Sequence, residues 1–201
     1  MNPNDLSRVG HKLSWLLRHG ARASKLAMDT AGWASIDDVL AIVGVPRAEL
    51  DAVVRENNKS RYELRGDQIR ACQGHSFEGT PVTLEGLEAS WAVDPRSEPI
   101  WHGTNLGALA SIAAQGLVAG ERTHVHLAGE TNSKVGKRAG VDVLLRVEPD
   151  RLRAAGMTVY RSPNGVMLVR AVPTSCITDL RAESRKARDQ EHALLGLFGF
   201  V

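Results

Sequence analysis

The stretch Ile100-Trp101-His102-Gly103-Thr104 lies in the middle of the chain and decides the fold class of its second half. Its apolar start predicts a strand end, and the run from Leu106 to Leu117 has the apolar spacing of an amphipathic helix. A histidine beside a glycine at a strand end can present its imidazole in a pocket, because glycine lets a ligand approach closely. A surface histidine is the alternative for these residues taken alone.

A second segment, Arg122-Thr123-His124-Val125-His126-Leu127, alternates between ionisable and apolar side chains. Because successive side chains of a strand point to opposite faces, this pattern predicts a strand with Arg122, His124 and His126 on one face. Three cationic or ionisable groups are poor core material, since an unpaired buried charge is costly. The segment therefore predicts an anion-binding surface.

Composition limits the class of protein. The chain has 201 residues, 43% of them hydrophobic, and a formal net charge of +2, which favours one large or two small domains with a buried core. Since the net charge is nearly balanced, any basic surface must be local. Cys72 and Cys176 are too isolated for a zinc motif or a disulfide framework, so we expect buried thiols in a reducing compartment.

Targeting signals are also missing from the sequence. The N-terminus has no charged segment followed by an apolar core, and no apolar run approaches the ~20 residues that a membrane span needs. We therefore expect a cytoplasmic protein without a membrane segment. The sequence carries no signal for its oligomeric state, and a monomer is the default expectation.

The first part of the chain has helical periodicity with recognisable start and stop residues. A helix is expected from about Leu6 to His19, with Asp5 as its cap and Gly20 at its end. Ser35 is expected to cap a helix from Ile36 to Val43, and Pro46 to open a third helix.

A hairpin follows these helices. The residues around Arg65-Gly66-Asp67 predict a tight turn between two short strands. Three helices and a hairpin in this order are typical of a winged helix-turn-helix, a module that often binds nucleic acid, although a fold alone does not establish function. We assign residues 1–92 to this domain and the domain boundary to the stretch from Trp91 to Pro99.

Residues 98–201 predict a second domain with mixed helices and antiparallel strands, so the overall class is α+β. Strands are expected at His124–Leu127 and at Asp142–Val147, and Asn164-Gly165 predicts a tight hairpin turn. The polar segment from Thr131 to Arg138 predicts a short helix. The charged stretch from Arg181 to Glu191 is compatible with a helix or with disorder.

Several common catalytic signatures are missing from the sequence. It has no GxxxxGK[ST] or GxGxxG loop, no HExxH, no Cys-x-x-Cys and no Gly-x-Ser-x-Gly. The remaining candidates are arginines and histidines beside glycines or strand ends, and guanidinium groups suit bidentate contacts with phosphate oxygens. We therefore expect an anionic substrate and no metal. For Arg18 and His19, stabilisation by the dipole at a helix C-terminus is the competing explanation.

Seven segments, in order along the chain, resemble the Tpt1/KptA family of RNA 2′-phosphotransferases. They are Leu17-Arg18-His19, Gly32-Trp33, Ile69-Arg70-Ala71-Cys72-Gln73-Gly74-His75-Ser76, Trp101-His102-Gly103-Thr104, Arg122-Thr123-His124-Val125-His126-Leu127, Val135-Gly136-Lys137-Arg138 and Asn164-Gly165-Val166. The resemblance extends from about Leu13 to Ile177. Two positions depart from the family pattern: Cys72 replaces an asparagine and Ala128 replaces a serine.

The resemblance implies a winged-helix lobe joined to an ADP-ribosyltransferase-like lobe. It implies an enzyme that uses NAD to remove an internal 2′-phosphate from a tRNA-like RNA, through a 2′-phospho-ADP-ribosylated intermediate. The products would be 2′-OH RNA, nicotinamide and ADP-ribose 1″,2″-cyclic phosphate. Two alternatives are an ADP-ribosyltransferase acting on nucleic-acid phosphate ends or on protein, and an NAD-sensing regulator that binds nucleic acid.

The resemblance also implies roles for particular residues. The catalytic set would be Arg18, His19, Arg70 and Arg122. NAD would be bound by His102, Gly103, Thr104, His126 and Val166, with His124 as the alternative to His126 because the choice depends on the strand register.

Two further groups of residues each have two possible roles. Gln73, His75 and Ser76 would support the phosphate pocket or stabilise the lobe. Lys137 and Arg138 would bind RNA or pyrophosphate, or form a solvated basic turn.

Overall fold

The computed structural model of the chain describes residues 3–133, 135–136 and 140–201. Contacts divide the chain into two compact units. The first comprises the residues up to Ala92 together with Glu121–Thr123, and the second comprises Val93–Gly120 and His124–Val201. The sequence pattern assigned Glu121–Thr123 to the second domain, so its place in the first unit is a difference that the pattern did not indicate.

The first unit contains four α-helices, a π-helical turn and three strands in its described part. In chain order they are α1 (Pro3–Trp15), the π-helix Leu16–Gly20, β1 (Ala34–Ser35), α2 (Ile36–Val43), α3 (Arg47–Arg55), β2 (Tyr62–Arg65), β3 (Gln68–Ala71) and α4 (Leu84–Ala89).

The core of the first unit lies between the helices and a small antiparallel sheet of order β1-β3-β2. Buried leucines of the first helical segment, Leu13, Leu16 and Leu17, pack there with Ile69 of β3. The expected cap of α2 is confirmed, because the Oγ of Ser35 accepts from the N–H of Asp38 at 3.5 Å.

The first helix differs from its prediction at both ends. It begins at Pro3, whose fixed φ suits a first helical turn, so Asp5 lies inside the first turn and is not the cap. The α-helix stops at Trp15, and the π-helix continues to Gly20. The predicted leucine stripe is correct, but its last turn is wider than an α-helical turn.

The second unit is built from short strands and short helices. In chain order they are β4 (Ala92–Val93, at the unit boundary), β5 (Ile100–Thr104), a 3₁₀ turn (Leu106–Ala108), α5 (Leu109–Gln115), β6 (Leu117–Val118), β7 (Val125–Leu127), β8 (Val143–Val147), α6 (Pro149–Ala154), β9 (Tyr160–Arg161), β10 (Met167–Val169), β11 (Ala171–Val172), a 3₁₀ turn (Thr174–Cys176), β12 (Ile177–Ala182), α7 (Arg185–Arg188) and α8 (Glu191–Leu197).

These strands form sheets of order β4-β9-β10-β7, β12-β8-β5 and β11-β6. The pairs β10 with β7, β10 with β9, β12 with β8, and β5 with β8 are antiparallel, which confirms the predicted α+β class. Ile100, Leu109, Leu127 and Leu145 are among the buried side chains of one core beneath these strands. The core therefore fixes β5 and β7, the two strands that carry the candidate NAD residues.

Several predicted boundaries in the second unit shift. The expected Leu106–Leu117 helix starts as a 3₁₀ turn and ends before Gly116, whose φ of 79° is unfavourable for a helix, so Leu117 begins β6. The turn at Asn164-Gly165 is confirmed by the pairing of β9 with β10. The charged tail is ordered as the end of β12 followed by α7 and α8.

Both cysteines are buried free thiols, as expected, and burial raises the pKa of Cys176. Among the helices of the described residues, none combines the length and apolar character that a membrane crossing requires.

Candidate functional site

The first candidate site is organised by the π-helix at the end of α1. Its turn carries Arg18 and His19, and π-helical turns are frequent at functional sites. The ring of Trp15 lies directly over Gly20: a Cβ added at residue 20 would be 2.5 to 2.7 Å from three ring carbons. Because any larger residue would push this ring away, Gly20 keeps the wide turn and the ring together.

The segment from Gly74 to Thr80 holds this turn in place. The N–H of Ser76 donates to the carbonyl of Arg18 at 2.9 Å, and the Oγ of Ser76 lies 3.1 Å from Nδ1 of His19. A Cβ at Gly79 would collide with the carbonyl of His19, so only glycine allows this close approach. Ser76 therefore supports the turn that carries Arg18 and His19, one of the two roles its sequence context allowed.

Two nitrogens of the Arg18 guanidinium are buried without a hydrogen-bond partner among the described residues. These nitrogens are Nε and Nη2. A Cβ at Gly74 would lie 3.4 Å from Nε, so Gly74 leaves room beside it. Burial lowers the pKa of Arg18 to about 10, and the group is still charged at neutral pH. A buried cation with unused donors is a strong candidate for binding an anion.

Other charged groups surround this guanidinium. Arg61 and Arg122 both lower the pKa of Arg18, whereas Tyr62 and Cys72 act in the opposite direction. Arg61 and Arg122 therefore add positive charge at Arg18, and no carboxylate is among the described residues that act on Arg18, so this is a cationic site.

Arg61 is a site residue that the sequence analysis missed. It directly precedes β2, and its carbonyl accepts from the N–H of Cys72 at 2.8 Å, so the hairpin places it beside the segment that begins Cys72-Gln73-Gly74. Its Nη1 donates to Oδ1 of Asn57 at 3.4 Å, which steers the guanidinium. Strand pairing across the predicted hairpin was the signal that could have identified it.

The imidazole of His19 is mostly uncharged at physiological pH. Burial, followed by the positive charges of Arg18 and Arg122, lowers the pKa of His19, and Glu121 opposes this shift. The Oγ of Ser76 donates to the carbonyl of Arg18 at 3.4 Å, so this oxygen is an acceptor for Nδ1–H of His19. In that tautomer Nε2 carries a lone pair and is able to accept a proton.

Arg70, predicted to contact the phosphate, is occupied elsewhere. Its side chain is 3% exposed, and both Nε and Nη2 lie within 2.8 Å of the Glu63 carboxylate. Nη1 donates to the Oγ of Ser90 at 2.6 Å and to the carbonyl of Ala31 at 3.2 Å, and Nη2 reaches the carbonyl of Ser90 at 3.5 Å. All five donors therefore have partners among the described residues, which adds Arg61 as a candidate for the phosphate site, while the catalytic role that the resemblance implies for Arg70 stays a prediction.

Arg122 belongs to the first unit, and the prediction that it shares a strand face with His124 and His126 is wrong. An isolated bridge pairs Arg122 with Ser76, and the N–H of Thr123 donates to the carbonyl of His75 at 3.1 Å. These backbone bonds end the alternation, so β7 begins only at Val125. They also bring Arg122 to the site of Arg18 and His19.

The second candidate site lies on β5 and β7 of the second unit. The backbones of Trp101 and Ala128 exchange two hydrogen bonds of 2.9 and 2.8 Å, which fixes the two strands together. Nδ1 of His102 lies 3.1 Å from the carbonyl oxygen of His126. Because a carbonyl can only accept, Nδ1 of His102 carries the hydrogen and Nε2 is free of it when the ring is neutral. Nε2 is thus suited to accept a hydrogen bond from a sugar hydroxyl.

The two downstream histidines have different environments. His126 is half-buried on β7, opposite Leu168 in the antiparallel register. His124 precedes the strand, is 1% exposed, and packs edge-on against the ring of Tyr160 at 6.4 Å. Burial of this kind suits a structural side chain, so the environment favours His126 as the binding residue.

The remaining second-unit candidates are held by backbone bonds. The carbonyl of Thr104, at the end of β5, accepts from the N–H of Asp142 at 3.0 Å, and the carboxylate of Asp142 accepts from the N–H of Leu106 at 3.1 Å. The backbone of Val166 makes three hydrogen bonds with Ser162, at 3.0, 3.2 and 3.2 Å. Gly103 lies between His102 and Thr104 on the same strand.

The remaining predicted contributors are His75 and the polar segment from Thr131 to Arg138. His75 is fully buried, and its Nε2 lies against Gly32, where a Cβ would be 2.7 Å away, so it packs within the first unit. Lys137 and Arg138 lie outside the described residues. Of the expected helix from Thr131 to Arg138, the described residues 131–133 and 135–136 are not helical. Within the described ranges, three or more potential metal ligands do not cluster anywhere.

Together these features define a protein of mixed helix and sheet whose first unit carries an arginine with two buried nitrogens that have no hydrogen-bond partner among the described residues. Comparison with known proteins narrows this class. Residues 4–171 match the model of the RNA 2′-phosphotransferase, Tpt1 / KptA family. The chain belongs to this family.

The similarity to individual relatives covers nearly the whole chain. A probable RNA 2′-phosphotransferase of Burkholderia lata is 39% identical over 190 residues, which cover 90% of this chain and 94% of the relative. One of Pseudomonas syringae pv. tomato is 37% identical over 188 residues, covering 89% and 96%. One of Rhizobium johnstonii is 32% identical over 179 residues, covering 86% and 93%.

Proposed function

We propose that this chain is an NAD-dependent RNA 2′-phosphotransferase that removes an internal 2′-phosphate from RNA. The first unit would be a winged-helix lobe that holds the phosphate. The second would be an ADP-ribosyltransferase-like lobe that holds NAD, a substrate consumed in the reaction. Family membership and the names of the relatives support the activity.

One observation carries the proposal: the buried guanidinium of Arg18 with two unpartnered nitrogens among the described residues. Such an arrangement is unfavourable in the free protein and becomes favourable when an anion is bound. Arg61 and Arg122 add positive charge beside it, which suits a phosphate dianion better than a carboxylate.

The reaction has two balanced steps in this proposal. An oxygen of the RNA 2′-phosphate forms a bond to C1″ of the nicotinamide ribose, and the bond to nicotinamide breaks with its electron pair. The ribose O2″ then bonds to phosphorus, the bond from phosphorus to the RNA O2′ breaks, and the proton of O2″ ends on O2′. The products are 2′-OH RNA, nicotinamide and ADP-ribose 1″,2″-cyclic phosphate.

The arginines would act differently in the two steps. In the first step they orient the attacking phosphate, which is mainly an entropic contribution. In the second step negative charge grows on the phosphoryl oxygens, so donors aimed at these oxygens stabilise the transition state more than the ground state. His19, neutral and with Nε2 as an acceptor, would take up the O2″ proton.

NAD would be held by the strand residues of the second unit. Nε2 of His102 would accept a hydrogen bond from a ribose hydroxyl, and Thr104 would add a hydroxyl at the end of β5. His126 and Val166 would complete the pocket, and Gly103 would allow a close approach. The hydrogen bond of His102 to the carbonyl of His126 supports this assignment, since it orients the imidazole.

Incubation of the protein with NAD and an oligoribonucleotide that carries one internal 2′-phosphate tests the proposal. We expect 2′-OH RNA and one equivalent each of nicotinamide and the cyclic phosphate. RNA without the 2′-phosphate is the matched control and should consume no NAD. RNA that stays unchanged would contradict the proposal, and RNA that stays ADP-ribosylated would favour a transferase without the second step.

A further inference from the structure

Two large aromatic side chains of the first unit are exposed on segments that contact the turn of Arg18 and His19. Trp15 is 49% exposed and Phe77 is 45% exposed, whereas Trp33 and Trp91 of the same unit are buried. Single exposed apolar residues are ordinary on protein surfaces, so exposure alone carries no function. Their positions distinguish these two.

Trp15 contacts the turn that carries Arg18 and His19, and Phe77 lies in a segment that is bonded to this turn. The ring of Trp15 covers Gly20, the residue after His19. Phe77 lies between Ser76, which is bonded to His19, and Gly79, whose backbone packs on the His19 carbonyl. The turn that carries Arg18 and His19 therefore contacts the Trp15 ring and the segment that contains Phe77.

Charge identifies the occupant of these rings. Arg18, Arg61 and Arg122 attract a polyanion, and an apolar protein segment would not pair with their charges. In single-stranded RNA each phosphate lies next to flat bases that stack on aromatic side chains. A ligand that presents both a phosphate and flat apolar groups at short range matches this surface.

We propose that Trp15 and Phe77 are stacking platforms for the nucleobases next to the 2′-phosphate that Arg18 holds. The inference deepens the proposed function and rests on it. It makes the unpaired, single-stranded state of the RNA around the phosphate a part of substrate recognition. Because stacking accepts every base, it predicts little sequence preference at these positions.

A double-mutant cycle between protein and RNA tests the proposal. The RNAs carry one 2′-phosphate and are either intact or abasic at the phosphorylated nucleotide, at its 5′ neighbour or at its 3′ neighbour. The proteins are wild type, Trp15→Ala, Trp15→Phe, Phe77→Ala and the control Leu64→Ala, whose residue is 42% exposed in the same unit.

We expect Trp15→Ala and Phe77→Ala each to weaken binding of intact RNA about tenfold, with Trp15→Phe close to wild type. For each ring, one of the abasic RNAs should bind wild-type protein about tenfold more weakly than intact RNA does. The same abasic RNA should bind the corresponding alanine variant as tightly as intact RNA does. Leu64→Ala should bind like wild type. Binding of intact RNA should also quench tryptophan fluorescence less in Trp15→Phe than in wild type.

Two failures are distinguishable. Suppose that wild type converts the 2′-phosphorylated RNA, and that for both rings the loss of binding from the alanine substitution adds to the loss from removing a base. The stacking proposal is then overturned and the proposed function stands. If coupling is found for one ring only, the role of the other is overturned. If wild type neither binds nor converts the RNA, the proposed function itself fails.

Discussion

Nη2 of Arg70 lies 2.7 Å from the carboxylate of Glu63, its direct partner across β2 and β3. The same guanidinium lies over the ring of Trp33, with Cζ 4.6 Å from the ring centroid. Arg70 therefore joins the hairpin, the Trp33 turn and the end of α4 at Ser90. It is an arginine of the structural framework, and this finding separates it from Arg18.

The first prediction is that Arg70→Met destabilises the protein. Arg70→Met leaves the Glu63 carboxylate, which is 34% exposed, and the carbonyl of Ala31 without this partner. The free energy of unfolding should therefore fall by about 2 kcal/mol. Arg65→Met is the matched control, since Arg65 contacts the same Trp33 ring from an exposed position. Urea denaturation of both variants measures the difference, and equal stability would contradict the framework role.

The second prediction concerns Arg61. If it contacts the reacting phosphate, Arg61→Met should slow the second chemical step by roughly 10²-fold or more, as expected for the loss of one well-placed donor. Single-turnover assays at saturating NAD should then reveal 2′-phospho-ADP-ribosylated RNA. The folded fraction of Arg70→Met should not accumulate this intermediate; the reverse pattern would return the role to Arg70.

The third prediction is that Arg18→Met is more stable than wild type and inactive. Burial lowers the pKa of Arg18 to about 10, which corresponds to a cost of about 3 kcal/mol for the buried charge, and methionine does not carry this charge. Thermal unfolding should therefore occur at a higher temperature. Arg122→Met, at an exposed position, should lose activity without this gain, and a destabilised Arg18→Met would show that the guanidinium has a structural partner.

The fourth prediction follows from the lowered pKa of His19. The unfolded state, with a histidine pKa near ~6.5, binds the proton before the folded state does, so protonation favours unfolding. This contribution to stability is complete above pH ~6.5 and is lost as the pH falls below it. The stability of His19→Asn should fall less than that of wild type between pH 7.5 and 5.5. His11→Asn, on the exposed part of α1, is the control and should follow wild type.

The fifth prediction separates the two ligands. His102→Ala and Thr104→Ala should weaken NAD binding and leave the binding of 2′-phosphorylated RNA nearly unchanged, because the two sets of residues belong to different compact units. Calorimetric titration with each ligand measures this. Arg18→Met should give the opposite result, and an equal loss of both ligands in the His102 variant would contradict the assignment.

Residues that depend on local sequence were predicted well. The leucine stripe of α1, the Ser35 cap, the hairpin turn at Gly66 and the turn at Gly165 all follow from short-range rules of spacing and turn chemistry. The resemblance to the family covered the same segments and gave the correct family.

Residues whose position depends on long-range pairing were not predicted well. The sequence does not reveal that Ser76 bonds across 57 residues to His19, or that Arg122 is drawn from its expected strand by backbone bonds to Ser76 and His75. Nor does the sequence distinguish Arg61, which directly precedes β2, from Arg70 on β3 of the same hairpin; only their hydrogen-bond partners distinguish them.

The π-helix of Leu16–Gly20 also has a consequence for insertions and deletions. A wider turn is equivalent to an extra residue in the helix, and removing one residue from an α-helix rotates everything beyond it by roughly 100°. Deleting a single residue between Trp15 and Arg18 would remove a buried leucine and close the wide turn that carries Arg18 and His19. At this turn the length of the chain, and not only the identity of its residues, is under constraint.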